Sequence, residues 1–150
     1  MNKLTPLVFL GICLAVAWPV HARDDKYIVP IQAALDAKNV LGRPDGSVKF
    51  FYANQQTPAI IARLGSETTH GRVLKLSNTD EIACQAAFLA ALLPLQKRAK
   101  QVGANAVVNV VSFYKQVEMS STFEFECHAG VAAHVFLKGE LVKIADGERQ

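Results

Sequence analysis

Gly103-Ala104-Asn105-Ala106-Val107-Val108-Asn109-Val110-Val111-Ser112-Phe113-Tyr114-Lys115 joins the two strongest structural signals in the chain. Upstream lies a long alanine- and leucine-rich segment with helical spacing, and downstream lies a run of valines that favours a strand. Gly103 stands where a helix can end in the left-handed conformation that glycine adopts without strain. Ala104 and Ala106 are small enough to let a helix and a sheet approach. A strand is expected from Ala104 to Lys115, with Ala106, Val108 and Val110 on one face and Val107, Val111 and Phe113 on the other. Both faces are apolar, which predicts a central strand covered on both sides.

The segment before this junction reads as the principal helix. Ser77, Asn78 and Thr79 offer capping oxygens, and Asp80 and Glu81 suit the positive end of a helix. Lys97, Arg98 and Lys100 suit the negative end. At 100° per residue, Cys84, Phe88, Ala91, Leu92, Leu95, Ala99 and Val102 form one apolar stripe suited to packing on a sheet. Ile82, Ala86, Leu89 and Leu93 form a second stripe nearly opposite. Unless an N-terminal helix covers it, this stripe is a surface for self-association through Ile82, Leu89 and Leu93, or for an envelope protein. Pro94 is expected to kink the helix by removing one backbone donor.

The remaining elements are shorter. Pro30 at a first helical position, followed by Ile31, Ala34 and Leu35, predicts a helix from Pro30 to Val40, and Arg43 to Ser47 reads as a turn. Val48 to Ala53 reads as a strand. A further strand is expected from Ala59, with Ile60, Ala62 and Leu64 inward and Arg63, Glu67 and Thr69 outward. Gly65-Ser66 reads as a bulge within it, and His70-Gly71 as a turn into a short strand through Val73 to Leu76. After a polar connection at 116–120, Thr122 to His128 alternates, with Phe123, Phe125 and Cys127 opposite Thr122, Glu124, Glu126 and His128. Ala129-Gly130 suggests a bend before a strand from Val131 to Leu137. Lys138-Gly139-Glu140 suggests a turn into a last strand, Leu141 to Ile144. The sum is an α+β fold, a mainly antiparallel sheet with one long helix packed on it and a short N-terminal helix.

Residues 1–22 carry the three parts of a secretory signal: Lys3, the apolar run Leu4 to Trp18, and the small-x-small site Val20-His21-Ala22. Cleavage after Ala22 is expected, with Cys13 discarded, which leaves 23–150 as a single α+β domain in the periplasm without a membrane span. Losing Lys3 lowers a formal charge of only +3, too small to mark a nucleic-acid partner. Cys84 and Cys127 remain, in a compartment that permits oxidation. If the Phe88 stripe packs on the Phe125 face, the two thiols come within bonding range, and a helix-to-sheet disulfide is expected. The alternative is two separately buried thiols.

Arg63 to Glu67, the alanine-rich helix, Gly103 to Val110 and a later strand ending in small residues occur in an order that resembles the YbjQ-like domain, a family also named for heavy-metal binding. The chain is similar as well to the signalling domain of the Rcs envelope-stress lipoprotein, in which cysteines before the helix and in later strands are bridged. Over all of residues 23–150 it resembles small exported proteobacterial proteins often labelled excinuclease ATPase subunit. That likeness rests on Val48 to Tyr52, Asp80-Glu81 with Cys84, Asn105 to Asn109, and Leu137-Lys138-Gly139. The resemblance implies a disulfide-bonded α+β envelope module, with ring-forming oligomers in the YbjQ-like branch. It does not imply an ATPase, because the chain has no GxxxxGK[ST] phosphate loop.

Metal ligation would fall to His128 and His134 beside Glu124 and Glu126, if a bulge near Gly130 put both imidazoles on one face. The alternative is surface histidines beside carboxylates. Ser66, Ser120 and Ser121 lack a nucleophile elbow, and Asn105 and Asn109 read as groups that satisfy backbone. The expected function is a non-enzymatic exported binding or envelope-sensing module without a cofactor; the alternative is a small-ligand or metal-binding oligomer.

Overall fold

The chain order is β1 (Asp25–Pro30), α1 (Ile31–Asp36), β2 (Lys49–Tyr52), β3 (Ile60–Leu74), α2 (Asp80–Val102), β4 (Ala106–Ser112), a 3-10 turn (Tyr114–Gln116), β5 (Glu124–Ala129) and β6 (Ala132–Ile144). These come from a computed structural model that describes residues 22–145 apart from 39, 41 and 77. The expected leader, except for Ala22, lies outside the described residues. Over the described residues the fold is α+β, a mainly antiparallel, curled, six-stranded sheet with one long helix.

β6 is the spine of the sheet. One edge pairs antiparallel with β3 from Ile60 opposite Ile144 to Leu74 opposite Ala132. The other edge is shared: β5 meets it at His128 opposite His134 and Ala129 opposite Ala133, and β4 from Ala106 opposite Val142 to Ser112 opposite Leu137. β5 carries β1 antiparallel and β4 carries β2 parallel, so the sheet forks. Across the fork, the Glu126 amide donates to the Ser112 hydroxyl at 2.9 Å.

α2 follows its sequence signals closely. Thr79 accepts a hydrogen bond from the Ile82 amide, and Gly103 ends the helix with φ +78°. The stripe from Cys84 through Ala99 is buried, while Pro94 stands on the exposed side of a helix that continues through it. Cys84 and Cys127 are joined in a disulfide with both side chains fully buried and their Cα atoms 5.8 Å apart. Beside it, the Phe88 and Phe125 rings stack with centroids 4.2 Å apart.

The second stripe is mostly covered from within the chain. Leu89 is 1% exposed and lines a small apolar cavity of about 150 Å³ together with Leu35, Pro44 and Phe50. Of the three residues expected to self-associate, Leu89 is therefore inaccessible, Leu93 is half-buried and Ile82 is exposed. α1 is also shorter than expected. It stops at Asp36, where the Arg43 guanidinium donates to the carbonyls of Leu35 and Ala37, satisfying groups that a longer helix would have bonded internally.

Two glycines that suggest turns sit in mid-strand. His70-Gly71 continues β3, because α2 crosses directly over Gly71: a Cβ there would overlap the Ala87 carbonyl and stand 2.6 Å from the Ala91 nitrogen. Thr69, expected outward, points inward and donates its hydroxyl to the Ala91 carbonyl at 2.8 Å. Gly139 lies within β6, where a Cβ would come 2.5 Å from the Val107 Cγ1. Opposite Gly139, Asn109 adopts φ +50° and the register shifts between Val108 and Val111. Val107 and Val110 then both enter the main core, whereas Ala106 and Val108 join Val142 and Ile144 in a smaller cluster. The expected pairing of Val108 with Val110 on one face is thereby corrected. The reversal instead falls at Gly130-Val131, a tight hairpin between β5 and β6. Phe123, expected inward, is 78% exposed, since β5 begins only at Glu124 and the Phe123 carbonyl accepts from the Ile31 amide.

Replacing Gly71 by Ala is expected to lower stability by about 3 kcal/mol or more, because backbone on both sides prevents relief of the overlap; chemical denaturation measures this. The paired change Cys84→Ala with Cys127→Ala is expected to cost about 2–4 kcal/mol, with reductant producing the same loss in the unaltered chain.

Candidate functional site

The sheet face turned away from α2 carries the chain's unusual side chains. Thr69, Gly71, Cys127 and Val135 point toward the helix core. Their neighbours His70, Arg72, His128, His134 and Phe136 therefore point the other way. Register places Arg72 opposite His134 and His134 opposite His128, forming one rung across three strands, with His70 opposite Phe136 on the next. Adjacent strands lie about 4.8 Å apart, so these groups are lateral neighbours.

After β4 the chain turns sharply through Lys115 and Gln116, at φ +49° and +65°, which brings Tyr114 over the rung. Its ring stacks on His128 with centroids 3.5 Å apart and stands 5.5 Å from Phe136 at a tilt. An open depression of about 380 Å³ results, bounded by Arg72, Tyr114, His128, Val131, His134 and Phe136, with Ala22 to Asp24 at its rim.

His128 is 8% exposed and held between two carboxylates. Its Nε2 lies 2.7 Å from Glu126 Oε1, and its Nδ1 lies 3.3 Å from Asp24 Oδ1. Glu126 also pairs with Lys26 at 2.8 Å. Burial alone would raise the Glu126 carboxyl, but the bonds from His128 and Lys26 outweigh it and hold the group below the usual carboxylate range. The Tyr114 hydroxyl, donating to Asp24 at 2.8 Å, likewise lowers Asp24 against the opposing effect of burial.

The other two imidazoles engage each other. His70 Nε2 and His134 Nδ1 are 3.0 Å apart, in rings nearly parallel (11°) with centroids separated by 5.2 Å. That separation leaves the contact edge to edge, so one nitrogen donates and the other accepts. Phe136 stacks on His70 at 4.2 Å. Burial, then the neighbouring His134 and Arg72, push the His70 imidazole below its ordinary range.

The sequence reading placed His128 and His134 together, and they do share a rung, by cross-strand register rather than by a bulge. They do not converge as metal ligands: His128 faces Glu126 and Asp24, His134 faces His70, and Glu124 is exposed. Among the described residues no group of three or more His, Cys, Asp or Glu side chains is arranged to hold a metal ion, and no helix is long and apolar enough to cross a membrane. Asn105 satisfies backbone as expected, clamping both the amide and the carbonyl of Ile144 at 2.8 and 3.0 Å. Sequence reasoning missed His70, Arg72, Tyr114 and Asp24. A continuous reading of β3 would have put the first two on one face.

The rim is fastened to the start of α2. Arg23 reaches Asp80 at 2.8 Å and Tyr27 at 2.9 Å, Tyr27 donates to Asp80 at 2.9 Å, and Lys75 pairs with Asp80 at 2.7 Å. The Arg23 carbonyl packs so tightly against Gly130 that a Cβ there would overlap it. No family model matches this sequence, and no curated protein does.

Asp80 is held at about 2, chiefly by Lys75, then Tyr27 and Arg23. Its folded-state value is depressed, so its stabilising contribution is complete above the unfolded carboxylate value of about 3.9 and is lost as pH falls toward 2. Asp80→Asn is expected to lower the melting temperature at neutral pH and to flatten its fall between pH 4 and 2; melting curves across that range check both.

Proposed function

We propose that this chain is an exported, periplasmic module that binds or senses at the cell envelope without catalysing a reaction. The observation that carries this reading is the depression on the open sheet face. Arg72, His128, His134 and Phe136 stand on paired strands, and a buried disulfide ties β5 to α2 behind them. Concave, largely apolar surfaces with a few fixed polar groups are the usual form of ligand sites. The acid–base groups present are committed to one another, as in Glu126 with His128 and His70 with His134, which favours holding a ligand over transforming it. The likeness to YbjQ-like and Rcs envelope-stress domains supports an envelope role by analogy of fold.

A disulfide between helix and sheet suits an oxidising compartment, and the secretory signal in residues 1–22 agrees with that placement. Fractionation with N-terminal sequencing is expected to find a periplasmic form beginning at Arg23; a cytoplasmic form retaining its first residues would overturn export. Titrating the labelled, oxidised protein with the small-molecule fraction of an envelope extract is expected to give saturable amide shifts at Arg72, Val131 and His134. Unmoved signals at those three positions would remove the binding role.

A further inference from the structure

The chemistry of the depression is one-sided. Arg72 makes no ion pair among the described residues, whereas the nearest carboxylates are already engaged, Asp24 by Tyr114 and His128, and Glu126 by His128 and Lys26. The Lys115 ammonium, 5.0 Å from the Tyr114 ring centroid, adds positive potential at the edge. A cation left without a partner at the rim of a concavity is complementary to an anion.

His134 is prepared for the same task. Its Nδ1 is occupied by His70 Nε2, so when His70 donates in that contact the remaining proton of a neutral His134 resides on Nε2. His70, stacked on Phe136, fills that donor role in the tautomer that carries its proton on Nε2. Arg72 and His134 are directly opposite on β3 and β6 and both line the depression, so a guanidinium and an imidazole share one rung of its wall. Two such donors fit the two oxygens of a carboxylate. Next to them lie apolar surfaces, the half-buried Phe136 and the 85% exposed Val131.

We propose that the depression takes a small carboxylate bearing a flat apolar ring, with the carboxylate on Arg72 and His134 and the ring against Phe136 and Val131. This rests on the binding role above and assigns its ligand class.

The test is an amide-shift titration of the oxidised protein with benzoate, acetate and benzyl alcohol as separate probes. Benzoate is expected to shift Arg72, Val131 and His134 saturably, with acetate and benzyl alcohol each weaker by about tenfold or more. Arg72→Gln is expected to weaken benzoate by about tenfold and leave benzyl alcohol unchanged, since a charge-assisted pair is removed while the apolar contact stays. Arg98→Gln, which deletes the same charge from exposed α2 surface, is expected to change nothing. Benzyl alcohol binding as tightly as benzoate, benzoate binding that ignores Arg72→Gln, or no response to benzoate would overturn the assignment. Saturable shifts from the envelope fraction combined with silence from benzoate would overturn this ligand class alone; silence from both would remove the binding role with it.

Discussion

The close contact of α2 with β3 at Gly71 sets the geometry of the rest. Helix and sheet ordinarily stand apart by the thickness of their side chains, but here Ala87 and Ala91 meet a residue with no side chain at all. The Thr69 hydroxyl fills one edge of that contact by donating to the Ala91 carbonyl. The helix is thereby brought down onto the sheet, close enough for Cys84 to reach Cys127 and for Phe88 to stack on Phe125. Burial of the large core side chains, roughly 1.5–3 kcal/mol each, follows from this approach.

The same contact explains why the outer face is polar and aromatic. β3 must offer small or hydroxyl-bearing residues toward the helix at 69 and 71, and strand alternation then sends His70 and Arg72 outward beside His134 and Phe136. The fastening of residues 23–27 to Asp80 works from the other side. Each exposed ion pair contributes little by itself. Because Arg23, Tyr27 and Lys75 all converge on one carboxylate at a helix N-terminus, they fix the rim of the depression relative to α2.

Periodicity made the helix and its partners legible. The stripe through Cys84 and Phe88, the alternation of Phe125 and Cys127 and the cap at Gly103 each rest on local spacing, and each has its expected place. What escaped was set by distant residues. Gly71 and Gly139 have the local character of turns, yet they are glycines because Ala87 and Val107 press on them from elsewhere in the chain. Reading Gly71 as a turn cut β3 in two and hid the face shared by His70 and Arg72. Asn109 is of a type that tolerates the left-handed backbone, but the unbroken valine pattern around it masked the bend that puts Val107 and Val110 on the same side. Tyr114 reaches His128 only through the sharp turn at Lys115 and Gln116, which no composition signal marks.

The position of β6 as the spine has a kinetic side. Among the described residues it is the last strand in chain order, and β3, β4 and β5 all pair with it. Until Ala132 to Ile144 is available, β3 has no ladder partner and the rung of Arg72, His134 and His128 does not exist. Such sequence-distant pairing makes loop closure the slow part of folding. During that interval the apolar residues of β3 are without a sheet neighbour, and those of β4 have only β2 beside them. Early formation of the Cys84–Cys127 bond would shorten the search by holding α2 against β5 at the point from which β6 turns back.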